Sequence, residues 1–154
     1  MSGPITRKPH SEYRAGKRRL LGKNRRERKE AAVVFQEDRL CSRVSVYHNL
    51  SMVCRAKEQL GQIETMLGSF GLAGCGSKKV SALSGGMKRR VAIVRALLTE
   101  RQILLLDEPL KGLDEKTKLL VMQFMKEKMS RRTVLYITHE EEEAAYFGCR
   151  IIKL

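Results

Sequence analysis

The chain has 154 residues, 42% of them hydrophobic, which is enough for one domain with a real core and short for anything more. No run approaches the roughly 20 consecutive apolar residues of a membrane helix, and the basic start "MSGPITRKPHSEYRAGKRR" has no apolar stretch behind it, so it does not read as a secretory signal. The net charge of +14 is uneven: residues 1–30 carry 11 Lys/Arg against 3 Asp/Glu, and the other 124 carry 20 against 14. A basic run without interleaved aromatic residues reads as a solvated, poorly structured leader rather than a nucleic-acid or lipid contact, and no nucleic-acid partner is expected. Cys41, Cys54, Cys75 and Cys149 form no CxxC pair and have no His at metal-ligand spacing, which predicts free thiols.

Glycines and prolines break up residues 1–30, where only a short strand around Arg19–Leu21 is expected. "AAVVFQ" is a β-branched and aromatic run, a strand that stops at the polar "EDR". From Val46 to Phe70 apolar residues recur at three and four, predicting either one helix or two broken near Gly61. Glycines 71, 74 and 76 then mark a loop. Ser84 is a suitable N-cap for a helix whose stripe is Val91, Val94 and Leu98 and whose end is expected near Glu100. "ILLLDEP" lacks alternation, the pattern of a strand buried on both faces of a parallel sheet, and Pro109 stops it. Helix returns from Lys116 to Met129, buried strand in "TVLYIT", helix in "EEEEAAYF" and a short strand in "RIIKL". Alternating strand and helix predicts an α/β layered domain with a parallel sheet and no internal repeats.

Asp107 and Glu108 stand where a buried strand runs out, the end of a parallel sheet at which ligands collect. A carboxylate there can hold Mg²⁺, and its neighbour can orient or deprotonate an attacking water. An Asp-Glu-Pro turn after a strand accounts equally well for these two residues taken alone. Gly85 and Gly86 leave unpaired N–H groups at a helix start free to face an anion, and Ser84 adds a hydroxyl; a plain helix-entry loop is the simpler reading of the three by themselves. His139 follows "TVLYIT" as Asp107 follows "ILLL", so both can lie at one sheet edge. Gln36 also ends a strand, with an amide able to ligate a metal or a water. Glu140–Glu143 suit the positive end of a helix dipole and need no functional reading.

In order, "VVFQED", "LSGGM", "ILLLDEP", "KGLD" and "YITH" resemble the motif set of ATP-binding cassette (ABC) transporter ATPases, over about Val33 to Leu154. The wording of "FQEDRL" and "LSGGM" is most similar to import ATPases of the nitrate, sulfonate and taurine group. The resemblance implies a P-loop NTPase-like parallel-sheet cassette, here N-terminally incomplete, with a helical subdomain at about residues 46–90 and the partial ATPase domain at 31–154. Gln36 would be the Q-loop glutamine that senses Mg²⁺ and the γ-phosphate. Ser84, Gly85 and Gly86 would be signature residues that contact a nucleotide held by a second cassette. Asp107 would position Mg²⁺, Glu108 would be the general base, Asp114 would lie at the dimer interface, and His139 would reach the γ-phosphate. ATP and Mg²⁺ would be the cofactors, and transmembrane permease subunits and a second cassette the partners, at the cytoplasmic face of the cell membrane.

The chain departs from that pattern in three places. Met87 replaces the commoner glutamine of the signature, and Lys111-Gly112 replace small residues before Leu113-Asp114, a change expected to loosen that contact. The phosphate-binding pattern GxxxxGK[ST] is not present: "SEYRAGKR" has Ser11 in place of the first glycine and Arg18 in place of Ser or Thr, and its Lys17 lies only 19 residues before Gln36. Without a backbone cradle and its lysine, ATP binding in cis is expected to be weak. The leading expectation is therefore a truncated import ATPase. The alternative is a non-catalytic module that donates its signature motif to a partner or acts as a regulatory interaction protein. A nucleic-acid-associated cassette is disfavoured by the compact segment between Gln36 and Ser84.

Overall fold

The structure, a computed structural model, describes residues 31–152. The strand expected at Arg19–Leu21 and the leader over residues 1–30 lie outside the described residues. Three strands, β1 (Ala31–Val34), β2 (Ile103–Asp107) and β3 (Thr133–Ile137), form a parallel sheet in that order. The helices are α1 (Val46–Ser51), α2 (Lys57–Ser69), α3 (Gly85–Leu98), α4 (Glu115–Met129) and α5 (Glu141–Phe147). The strand–helix alternation read from the sequence is thus an α/β fold with a parallel sheet.

Register explains which strand residues make the core. Ala32 pairs with Leu104, and Val34 with Leu106, so these four side chains share one face, and all four are buried. They join one cluster with Val91, Ile93 and Val94 of α3 and with Val121 and Met125 of α4. Val134 and Tyr136 of β3, opposite Leu104 and Leu106, pack against the same cluster.

The other face corrects two sequence expectations. Ile103 and Leu135 are 42% and 41% exposed, so neither "ILLLDEP" nor "TVLYIT" is buried on both sides. Buried apolar side chains of α1, α2, α3 and α4 join the same cluster as Ala32, Val34, Leu104 and Leu106, and among the described residues β3 pairs on one edge only. An unbroken apolar run reports hydrophobicity on both faces but not whether both are covered.

Val46–Phe70 holds two helices, but the break falls at Met52–Ala56 and Gly61 lies inside α2. Local caps decide this. Ser45 Oγ accepts from His48 N at the start of α1, and Gln59 Oε1 accepts from Ala56 N at 3.0 Å at the start of α2. Gln59 Nε2 also donates to Leu98 O at 3.0 Å, which fastens α2 to the end of α3. That end is Leu98, two residues before the expected Glu100. "RIIKL" forms no strand over its described residues, and Ile151 and Ile152 are exposed. The four cysteines are free thiols, as their spacing predicts.

Candidate active site

The carboxyl ends of β1, β2 and β3 place Gln36, Asp107 and Glu108, and His139 along one edge of the sheet. Asp107 is the last residue of β2 and pairs with Ile137; Glu108 follows it and His139 stands two residues beyond Ile137. Parallel register therefore brings the β2 and β3 ends together, as their matching motif positions predict.

Glu108 has φ = 50°, in the left-handed region that a glutamate rarely adopts. Its backbone is held from both sides: its N–H donates to Ile137 O at 2.8 Å, and its carbonyl accepts a short hydrogen bond from Arg89 Nη2. The Glu108 side chain is 14% exposed, and its Oε1 lies 3.2 Å from Nε2 of the largely exposed His139. That contact is within ion-pair range but off hydrogen-bond geometry, so Oε1 is shielded from solvent and accepts no hydrogen bond. A buried carboxylate oxygen without a donor is suited to accept one from a water or hydroxyl group entering beside His139.

Ser84 caps α3 as expected, its Oγ accepting from Met87 N at 3.3 Å. A Cβ on Gly85 would meet nothing within 4 Å, so the start of α3 is open to an approaching group. A Cβ on Gly86 would stand 3.4 Å from Leu113 Cδ2, which places the signature stretch against the Gly112–Leu113 turn. Gly112 has φ = 80°, a conformation natural to glycine, so Gly112 suits that turn. Asp114 is the N-cap of α4; its Oδ1 accepts from Thr117 N at 3.0 Å, and hydrogen bonding from Thr117 holds its carboxyl below the usual aspartate range. Gln36 is exposed, and its backbone carbonyl rather than its amide is held, by Arg89 Nη1 at 3.2 Å.

Sequence reasoning missed Arg89. It is 4% exposed, and its Nε donates to Pro109 O at 2.9 Å. Nη1 donates to Phe35 O at 2.6 Å and to Asp38 Oδ1 at 3.1 Å, and Nη2 to Asp107 O at 3.0 Å. Its neighbour Arg95, on the same helix, donates to Asp38 O and Arg39 O, so two arginines of α3 hold the loop after β1. A signal was available in part: the run from Val91 to Leu98 is buried except at Arg95, so a cation one turn before it can share its buried face, as Arg89 does while Lys88 and Arg90 stay half-buried.

Glu143 stands in the first turn of α5 with Glu141 and Glu142, as expected, but it also has partners that sequence reasoning missed. It is 3% exposed; Tyr136 Oη donates to its Oε2 at 2.7 Å, and Lys118 Nζ lies 2.9 Å from its Oε1. Burial and the bond to Glu143 push the Tyr136 phenol well above its ordinary range, and the same carboxylate raises the Lys118 ammonium. This clasp joins β3, α4 and α5 on either side of His139. Glu143 stands three and four residues before Tyr146 and Phe147, on the apolar face of α5, and that spacing was the readable signal.

Among the described residues no group of three or more His, Cys, Asp or Glu gathers as a metal site, and no helix is long and apolar enough to cross a membrane. A magnesium ion is usually held by one or two carboxylates together with substrate phosphates, and the oxygen donors of Asp107 and Gln36 at adjacent strand ends fit that chemistry.

The ABC transporter family model matches residues 3–111, reaching upstream of Val33, where the motif resemblance begins. The chain is 37% identical over 122 residues to the aliphatic sulfonates import ATP-binding protein SsuB 1 of Pseudomonas aeruginosa, covering 78% of this chain and 49% of that protein. It is 36% identical over 131 residues to the taurine import ATP-binding protein TauB of Pelagibacter ubique, covering 79% and 49%. The dimeric post-hydrolysis structure of the ATP-binding cassette MJ0796, bound to ADP and Pi, superposes with a TM-score of 0.67 at 28% identity over 76% of this chain and 55% of that one. The chain thus spans about half the length of the relatives it matches. The similarity to sulfonate and taurine import proteins agrees with the subgroup read from "FQEDRL" and "LSGGM", and the chain belongs to the ABC transporter family.

Proposed function

We propose that this chain carries the hydrolytic half of an ABC import ATPase together with the signature face that serves a second cassette. The observation that supports it most directly is the shielded Glu108 Oε1, free of hydrogen bonds and 3.2 Å from His139 Nε2 at the carboxyl ends of a parallel sheet. Glu108 accepts a proton from the attacking water as its general base, and His139 contacts the γ-phosphate. Asp107 and Gln36 would hold Mg²⁺, which when bound would supply positive charge against that developing on the phosphates. Ser84, Gly85 and Gly86 present a hydroxyl and free N–H groups to the nucleotide of the opposite cassette. Asp114 lies beside that face, because the turn before it packs on Gly86.

The helices of residues 46–90 form the helical subdomain, transmembrane permease subunits are the partners, and the chain works at the cytoplasmic face of the membrane. The relatives named as import ATP-binding proteins support the import part of this reading. GxxxxGK[ST] is not found in the 154 residues, so the chain alone binds ATP weakly and hydrolyses it little.

The test is magnesium-dependent phosphate release by the chain alone and mixed with an intact sulfonate-import cassette. Little turnover alone, and mixed turnover that Ser84→Arg in this chain lowers, are expected. Mixed turnover indifferent both to adding the chain and to Ser84→Arg would remove the signature reading. Strong turnover by the chain alone, abolished by Glu108→Gln, would keep the base and overturn the weak binding.

A further inference from the structure

The reading of Glu108 as base leaves open what aims its carboxylate. Side-chain direction follows φ and ψ, so a Glu108 that relaxed from φ = 50° to the ordinary helical or extended region would swing its Cα–Cβ bond away from His139. The conformation persists only if the surroundings over-determine it. Two bonds do so: Glu108 N–H to Ile137 O on one side, and Arg89 Nη2 to Glu108 O on the other. The first ties Glu108 to the strand that leads into His139. The second ties it to α3, one turn after Ser84.

The rest of the guanidinium is spent on the same edge. Asp107 O and Pro109 O flank Glu108 in the chain, and Phe35 O and Gln36 O belong to the end of β1. Asp38 provides the anionic partner, with a side chain 25% exposed. A planar donor fork that reaches two strand ends at once fixes their relative position, which a flexible ammonium with three donors would not do. No residue of the proposed chemistry is touched through its reactive atoms, so Arg89 acts through backbone.

We propose that Arg89 is the positioning residue of this site: its buried guanidinium locks the Gln36 loop and the Asp107–Glu108 turn into one arrangement in which the Glu108 carboxylate faces His139. The catalytic meaning rests on the reading of Glu108 as base, but the arrangement itself needs no nucleotide.

The experiment is therefore done without ATP, on the isotope-labelled 154-residue chain, by following the ring Cε1–H signal of His139. Glu108→Gln displaces that signal in the wild-type background, because the two side chains are 3.2 Å apart. In Arg89→Gln and Arg89→Lys backgrounds the same change displaces it by about a third as much or less, whereas in Arg95→Gln the full displacement remains. An undiminished displacement in a folded Arg89 variant, or none in the wild type, overturns the proposal.

If both Arg89 variants fail to fold, amide exchange of the unaltered chain decides. Protection of the Glu108 amide within about tenfold of Leu106 supports the lock, and exchange about a hundredfold faster than Leu106 refutes it. The base reading fails separately, if Glu108→Gln leaves the turnover of the mixed cassettes unchanged while the His139 coupling still depends on Arg89.

Discussion

Tyr136→Phe isolates one bond of the clasp that joins β3, α4 and α5. The substitution removes the hydroxyl that donates to Glu143 Oε2 at 2.7 Å and keeps the ring, whose centroid lies 5.1 Å from that of Phe147, so packing is preserved. A hydrogen bond to a charged acceptor is worth about 1.5–3 kcal/mol, and Glu143 is too buried for water to replace the donor. Tyr136→Phe should therefore lower the unfolding free energy by about 2 kcal/mol, roughly thirtyfold in the folded-to-unfolded ratio. Lys118→Met should lower it by more, about 3–5 kcal/mol, because it leaves a buried carboxylate without a counter-charge. Glu143→Gln is expected to make the loss from Tyr136→Phe smaller, since the remaining acceptor is neutral. Urea denaturation at pH 7 followed by circular dichroism measures all three, with unchanged slope as the control for a shared unfolded state. A Tyr136→Phe loss below about 0.5 kcal/mol would show that the clasp contributes no more than an exposed contact and refute the reasoning.

Alkaline pH probes the same clasp. Tyr136 and Lys118 both hold their protons more tightly folded than unfolded, so their contribution is complete below about pH 10 and declines above it. The unfolding free energy should fall there by up to about 1.4 kcal/mol per pH unit from Tyr136, and less steeply in Tyr136→Phe; a flat profile to pH 11 would contradict the shifts. Leu104→Ala, at a fully buried position of the central strand, should lower stability by about 2–5 kcal/mol in urea without changing the slope, and a small loss would place Leu104 at the surface. Gly71→Ala should lose at least about 1 kcal/mol, because φ is 67° there and the new Cβ would stand 2.9 Å from Arg90 Nη1. That nitrogen donates to Phe70 O and Gly71 O, so it cannot move without releasing the end of α2; a Gly71→Ala chain as stable as the original would show that it can.

Local order along the chain was enough for the motif positions and for the described elements up to α5, though not for "RIIKL", which forms no strand over its described residues. Ser84 caps its helix through a bond three residues away, a contact legible because backbone geometry places it, whereas Asp114 caps α4 in the same way without having been read as a cap. The matching positions of Asp107 and His139 at the ends of two apolar runs likewise put both at one sheet edge once the strands are parallel. The placement of the helix break was less legible: it depended on Gln59 reaching back to Ala56 and across to Leu98, and the second of those bonds spans 39 residues.

Only tertiary packing could decide how the edge is held. Arg89 meets Phe35 across 54 residues and Asp107 across 18, so nothing in the residues beside it specifies its partners. The left-handed turn at Glu108 comes from bonds to α3 and to β3 at once, against the intrinsic preference of glutamate. One-sided burial of the sheet has the same origin: hydrophobicity is a property of each side chain, whereas coverage depends on where distant helices come to rest.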